Sequence, residues 1–142
     1  MGCDIHCFVE HKIDNSWYCN NYSSENGIAS EIFIPRNYDL FGFLAGVRKE
    51  RYDSLPLLGL PSDIADGTHD FYKKYWADDA HSESFIYLNE IKQYIMEFAL
   101  IPEKEGYYVL NGLNHILNLF NTSDKNNHHS PENSRIIFWF DN

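Results

Sequence analysis

The first eleven residues, Met1-Gly2-Cys3-Asp4-Ile5-His6-Cys7-Phe8-Val9-Glu10-His11, alternate apolar and polar side chains, and nearly all the polar ones are groups that do chemistry. A period of two reads as a strand, with Cys3, Ile5, Cys7 and Val9 on one face and Asp4, His6, Phe8 and Glu10 on the other. A carboxylate and an imidazole then point the same way. Such a pair can ligate Zn, Mn or Fe, act as a base with its orienting partner, or hold a polar ligand. The plainer reading is a solvated strand face.

A second candidate is the polar stretch Asp78-Asp79-Ala80-His81-Ser82-Glu83-Ser84, which reads as a loop. Ser82 and Ser84 could donate to a phosphate or carbonyl oxygen, and His81 could join Asp4 and His6 to complete a metal site. Its plainer reading is a capping loop whose side chains satisfy backbone donors. Arg36 and Tyr38 before the first predicted helix, with Arg48, Lys49 and Arg51 after it, form the one basic concentration in the chain. A guanidinium fork suits a carboxylate or a phosphate. Helix-dipole complementarity accounts for Arg48 but not for arginines at both ends. Asp141 follows a strongly apolar run, and it would stand near Asp4 or His6 if that run lay beside the first strand.

Cys3, Cys7 and Cys19 are odd in number and lack a C-x-x-C knuckle, so they read as small buried hydrophobes rather than as zinc ligands or a disulfide framework. His128 and His129 lie in a polar stretch and read as solvated. No phosphate-cradling glycine loop and no G-x-S-x-G elbow is present.

The elements that must position these groups follow from the hydrophobic period. Asp14 to Ser16 puts turn residues between the first strand and Trp17-Tyr18-Cys19, a hairpin over about residues 3 to 20. Asn20 to Ser30 reads as a loop, and Ile32 to Ile34 as a short extended piece. Leu40, Phe41, Phe43, Leu44 and Val47 predict a helix over 38–47, capped by Asn37 or Asp39. Residues 48–68 are turn-rich, and Thr68 to Trp76 reads as a short capped helix. Asn89 caps a helix carrying Ile91, Tyr94, Ile95 and Phe98, closed by Pro102. A last helix after Gly106 carries Leu113, Ile116, Leu117 and Phe120. Arg135 to Phe140 is the most strand-like run and should pair beside the first strand in mid-sheet. Strands at both ends with helices between predict an α+β fold, a small antiparallel sheet with about four helices on one face.

At 142 residues the chain is expected to form one domain, and 16% aromatic content suits a ring-rich core with rings to spare for flat ligands. A formal charge of -10 opposes extended nucleic acid and anionic membrane. An apolar run long enough to span a membrane, a signal peptide and a myristoylation pattern are all missing, so a cytoplasmic protein is expected.

The segments M-G-C-D-I-H (1–6), P-R-N-Y-D-L-F-G-F-L-A-G-V-R (35–48), G-L-P-S-D (59–63), D-A-H-S-E-S (79–84) and the ending F-W-F-D-N together resemble a family of small bacteriophage and prophage proteins. The resemblance implies a phage setting in a bacterial host rather than an activity. By analogy it suggests an anti-defence factor that sequesters or cleaves a nucleotide-derived immune signal. The leading expectation is therefore a cofactor-free protein binding a small phosphorylated or nucleotide-like ligand through Arg36, Tyr38, Arg48, His81, Ser82 and Ser84. The alternative is a hydrolase with Zn or Mn on Asp4, His6 and His81, with Asp79 or Asp141 as base. A module for a protein partner is a third class, and a homo-oligomer is left open.

Overall fold

Two strands from opposite ends of the chain form the centre of the molecule, whose computed structural model describes residues 2–19, 31–48, 53–123 and 130–141. β1 (Asp4–Ile13) and β4 (Ser134–Asp141) pair antiparallel from Asp4 opposite Asp141 to His11 opposite Ser134. β2 (Ser16–Cys19) folds back on β1 through Asp14 and Asn15. Their φ values of 50° and 67° are the doubly positive pair that matches hairpin twist. β3 (His81–Tyr87) borders β4, giving the order β2-β1-β4-β3. The α+β class, the N-terminal hairpin and the central C-terminal strand agree with the sequence reading.

Two expectations need correction. His81 to Ser84, read as loop, opens β3. A bulge between His81 and Ser84, with Ser82 at φ 57°, breaks the alternation by which a strand is recognised. The helices also occupy both faces of the sheet. α1 (Tyr38–Ala45), α3 (Leu88–Ala99) and α4 (Glu103–Ser123) pack with Ile5, Cys7, Val9, Phe138 and Phe140. α2 (Asp66–Tyr75) and the segment before it cover Phe8, Trp17, Ile137 and Trp139 on the other side. The two central strands are therefore buried on both faces, which is why β4 reads as a continuous apolar run.

Asn37 caps α1 by accepting the Leu40 N–H at 3.1 Å, and its Nδ2 donates to the Tyr108 carbonyl at 2.7 Å. Gly46, at φ 72°, closes the helix. α4 crosses α1 so closely that a Cβ at Gly112 would stand 2.7 Å from Leu40 Cδ2. It starts at Glu103, before the expected boundary, with Gly106 packed against Phe98.

Beneath α2 lies a fully buried charge. The Arg135 Nε donates to Glu10 Oε1 at 2.9 Å and Nη1 to Asp63 Oδ1 at 2.9 Å, while the guanidinium stands 3.8 Å from the centre of the Trp17 ring. The Ala65 N–H occupies the other Glu10 oxygen at 3.0 Å. Glu10 has no solvent exposure, whereas the Asp63 side chain is 60% exposed. Glu10→Ala should therefore cost about 3–5 kcal/mol in urea unfolding by stranding a buried cation. Asp63→Ala should cost about 1 kcal/mol, because water replaces that carboxylate.

Candidate functional site

Antiparallel register brings the start of β1, the end of β4 and the start of β3 to one end of the sheet. His6 stands opposite Trp139 on the α2 side, and its Nε2 bonds Asp141 Oδ2 at 2.7 Å. A bridge between Cys7 and Ile32, closed by the Ile32 N–H to the Cys7 carbonyl at 2.9 Å, lays residues 31–34 along the open edge of β1. Glu31 thereby reaches the His6 Nδ1. The Trp76 ring covers the imidazole at 3.8 Å. Burial opposes a charge on His6, but hydrogen bonds to Glu31 and Asp141 outweigh it and hold the proton above the ordinary histidine range. With both ring nitrogens donating, neither offers a lone pair to a metal.

Asp4 turns toward α1. Arg36 grips it with two bonds, Nε to Oδ1 at 2.7 Å and Nη2 to Oδ2 at 3.1 Å, and hydrogen bonding to Arg36 holds the Asp4 carboxyl below its usual range. The guanidinium lies so close to Gly2 that an added Cβ would sit 2.0 Å from Nη1. Tyr38 accepts the Cys3 N–H at 3.3 Å, and the Arg48 guanidinium lies 5.0 Å from the centre of the Tyr38 ring. Arginines flank α1 at both ends because both reach this corner. Burial, followed by Asp141, pushes the Cys3 thiol up, while Arg48 and Arg36 pull against them.

Asp4, His6, Asp141, Arg36, Tyr38 and Arg48 are thus gathered at one end of the sheet. His81 is at the same end but on the opposite face, against the Phe140 ring at 6.2 Å and 3.0 Å from Ser82 Oγ. Ser84 is buried and accepts the Leu58 N–H at 3.1 Å. Asp79 is exposed in the turn after α2. Lys49, Arg51, His128, His129 and the loop Asn20 to Ser30 fall outside the described residues. Glu31 and Trp76 escaped sequence reasoning, since neither belongs to a motif and each is brought to His6 by long-range packing.

Beside Arg36 a groove of about 520 Å³ separates the start of α1 from α4, lined by Arg36, Asn37, Tyr38, Tyr108, Asn111 and His115 among others. His115 Nε2 donates to the Phe33 carbonyl at 3.1 Å, which leaves Nδ1 as an acceptor in the neutral ring. A second groove of about 740 Å³, between β2 and the start of α2, holds Trp17, Tyr18, Asp63 and Asp66 but none of the predicted ligand residues. Among the described residues no group of three or more His, Cys, Asp or Glu side chains is placed to hold a metal ion, and no helix is long and apolar enough to cross a membrane. Compared with known proteins, the chain matches no family model, no curated protein and no solved structure.

Folding strengthens the hold of His6 on its proton, so the stability this supplies is complete below the ordinary value of 6.5 and is lost as pH rises through the higher folded value. Urea midpoints should fall as pH is raised above 6.5, and His6→Gln should remove that part of the slope. An identical slope in the variant would exclude His6 as its source.

Proposed function

We propose that this protein binds a small phosphorylated or nucleotide-derived molecule in the groove between α1 and α4 and, in the phage setting its motifs resemble, sequesters it. The observation that carries this reading is the company Arg36 keeps. A fork-shaped cation, the exposed Tyr108 ring and the polar side chains of Asn111 and His115 all line one groove of about 520 Å³. Arg36 supplies two donors to a phosphate, and Tyr108 offers a face on which a base can stack. Asn111 and His115 present donors and acceptors to the base edge or the sugar. Arg48, held against Tyr38, adds positive charge near the same corner. In a chain of net charge -10, such a local pair of arginines is what admits an anion.

The alternative of hydrolysis at a divalent metal such as Zn or Mn draws less support from this arrangement, because His81 stands across the sheet from His6 and both imidazole nitrogens already face carboxylates. Binding would require the imidazole to release one carboxylate first.

A ligand taken up only by the native state raises its stability by about 2.7 kcal/mol at a hundredfold excess over Kd. For a domain of this size that is roughly 5–10 °C in Tm. A panel of nucleoside phosphates should contain compounds giving such a shift, reduced in Tyr108→Ala and lost in Arg36→Gln. A panel that leaves Tm unmoved would refute binding.

A further inference from the structure

The sheet covers parts of its open edges with its own chain. Ile32 bonds the Cys7 carbonyl beside β1, and the Gly59 N–H bonds the Glu83 carbonyl beside β3 at 3.0 Å. Beside β2 the sheet is bordered instead by the groove of about 740 Å³. Its lining takes Trp17 from the α2 face of the strand and Ser16 and Tyr18 from the opposite face, so the groove runs along the strand edge rather than over either face. The Ile32 contact shows that odd-numbered residues of β1 turn their backbone groups to this side. Ile13 and His11 therefore bond Ser16 and Tyr18, and Trp17, opposite Lys12, turns its N–H and carbonyl outward along the groove. No described segment pairs with the Trp17 backbone there.

A strand laid in this slot would send its side chains alternately into two different surroundings. Toward α2 they meet the wall formed by residues 63–67, where the carboxylates of Asp63 and Asp66 are exposed. With Arg135 matched by Glu10, those carboxylates make the wall negative. Toward the other face they meet the side chains of Ile13 and Tyr18, 45% and 55% exposed. We propose that β2 takes up an extended basic segment of a partner protein as an added strand, with its backbone paired to Trp17. Alternate Lys or Arg side chains of that segment face Asp63 and Asp66, and the apolar ones between them face Tyr18 and Ile13. The four residues of β2 span only about 13 Å, so backbone pairing is brief and charge supplies the discrimination. A net charge of -10 favours the approach of such a segment. This surface is separate from the groove beside Arg36 and does not depend on what binds there.

The test is titration of the purified chain with an end-capped hexapeptide of alternating Lys and Val, followed by calorimetry and by amide hydrogen exchange in NMR. The peptide should bind, and the Trp17 amide, fast to exchange in the free chain, should become protected. Replacing each Lys of the peptide by Glu, or N-methylating its central residues to remove their donors, should each weaken binding about tenfold or more. Asp66→Asn should weaken it about threefold and Asp66→Lys about tenfold, with circular dichroism melts establishing that both variants are folded. Absence of binding, equal affinity for the Glu peptide, or full affinity for the N-methylated one overturns the proposal. So does unchanged affinity in both Asp66 variants. A Trp17 amide already protected before peptide is added, whether by a second copy or by the chain itself, overturns it too, because the edge is then occupied.

Discussion

The buried pair of Arg135 and Glu10 is the constraint on which the rest of the structure depends. The two residues face each other across the central strands, and neither has water to fall back on. A slip of one residue between β1 and β4 would send the guanidinium into the apolar layer under α1, α3 and α4 and leave Glu10 unpaired. Burying the pair is not in itself a strong source of stability, but only one register satisfies it. Asp63 and Trp17 bind the same guanidinium from the loop and from β2, so the cover over this face is located by the same charge.

That register also composes the far end of the sheet. With Glu10 opposite Arg135, Asp4 must stand opposite Asp141 and His6 opposite Trp139. His6 then lies between a carboxylate from the end of β4 and one from the segment bridged to Cys7, under an indole that excludes water. Burial alone would weaken the hold of such an imidazole on its proton, yet hydrogen bonds to two carboxylates outweigh it and strengthen that hold. His6 thereby joins β1, β4 and residue 31 by hydrogen bonds rather than by apolar contact alone.

The same end shows how an acidic chain can present a cation. Arg36 and Arg48 leave opposite ends of α1 and converge because Tyr38 and the residues at the start of β1, Cys3 and Asp4, lie between them. Gly2 permits the approach of Arg36, since any side chain there would occupy the place of the guanidinium. The groove begins at this point and continues along α4, where Gly112 lets two helices close to a distance that no larger residue would allow.

Much of this arrangement is legible in the chain itself. Alternation across Cys3 to Glu10 assigns the two faces of β1 correctly, and the apolar run ending at Asp141 announces a central strand that carries a carboxylate toward Asp4. Asn37 is recognisable as a cap, and Asp14-Asn15 as a hairpin turn. Periodicity states which side chains share a face, because that is local geometry. It does not state whether both faces are covered, so Phe8, His6 and Glu10 look solvated until α2 is laid over them. Nor does it reveal an edge strand whose bulge at Ser82 interrupts the alternation, so periodicity leaves open whether His81 meets His6, and the fold places it across the sheet. Glu31, Trp76 and the α4 wall of the groove reach the site through contacts distant in sequence. Only tertiary packing could decide them, since no local preference of the backbone records which remote segment will arrive.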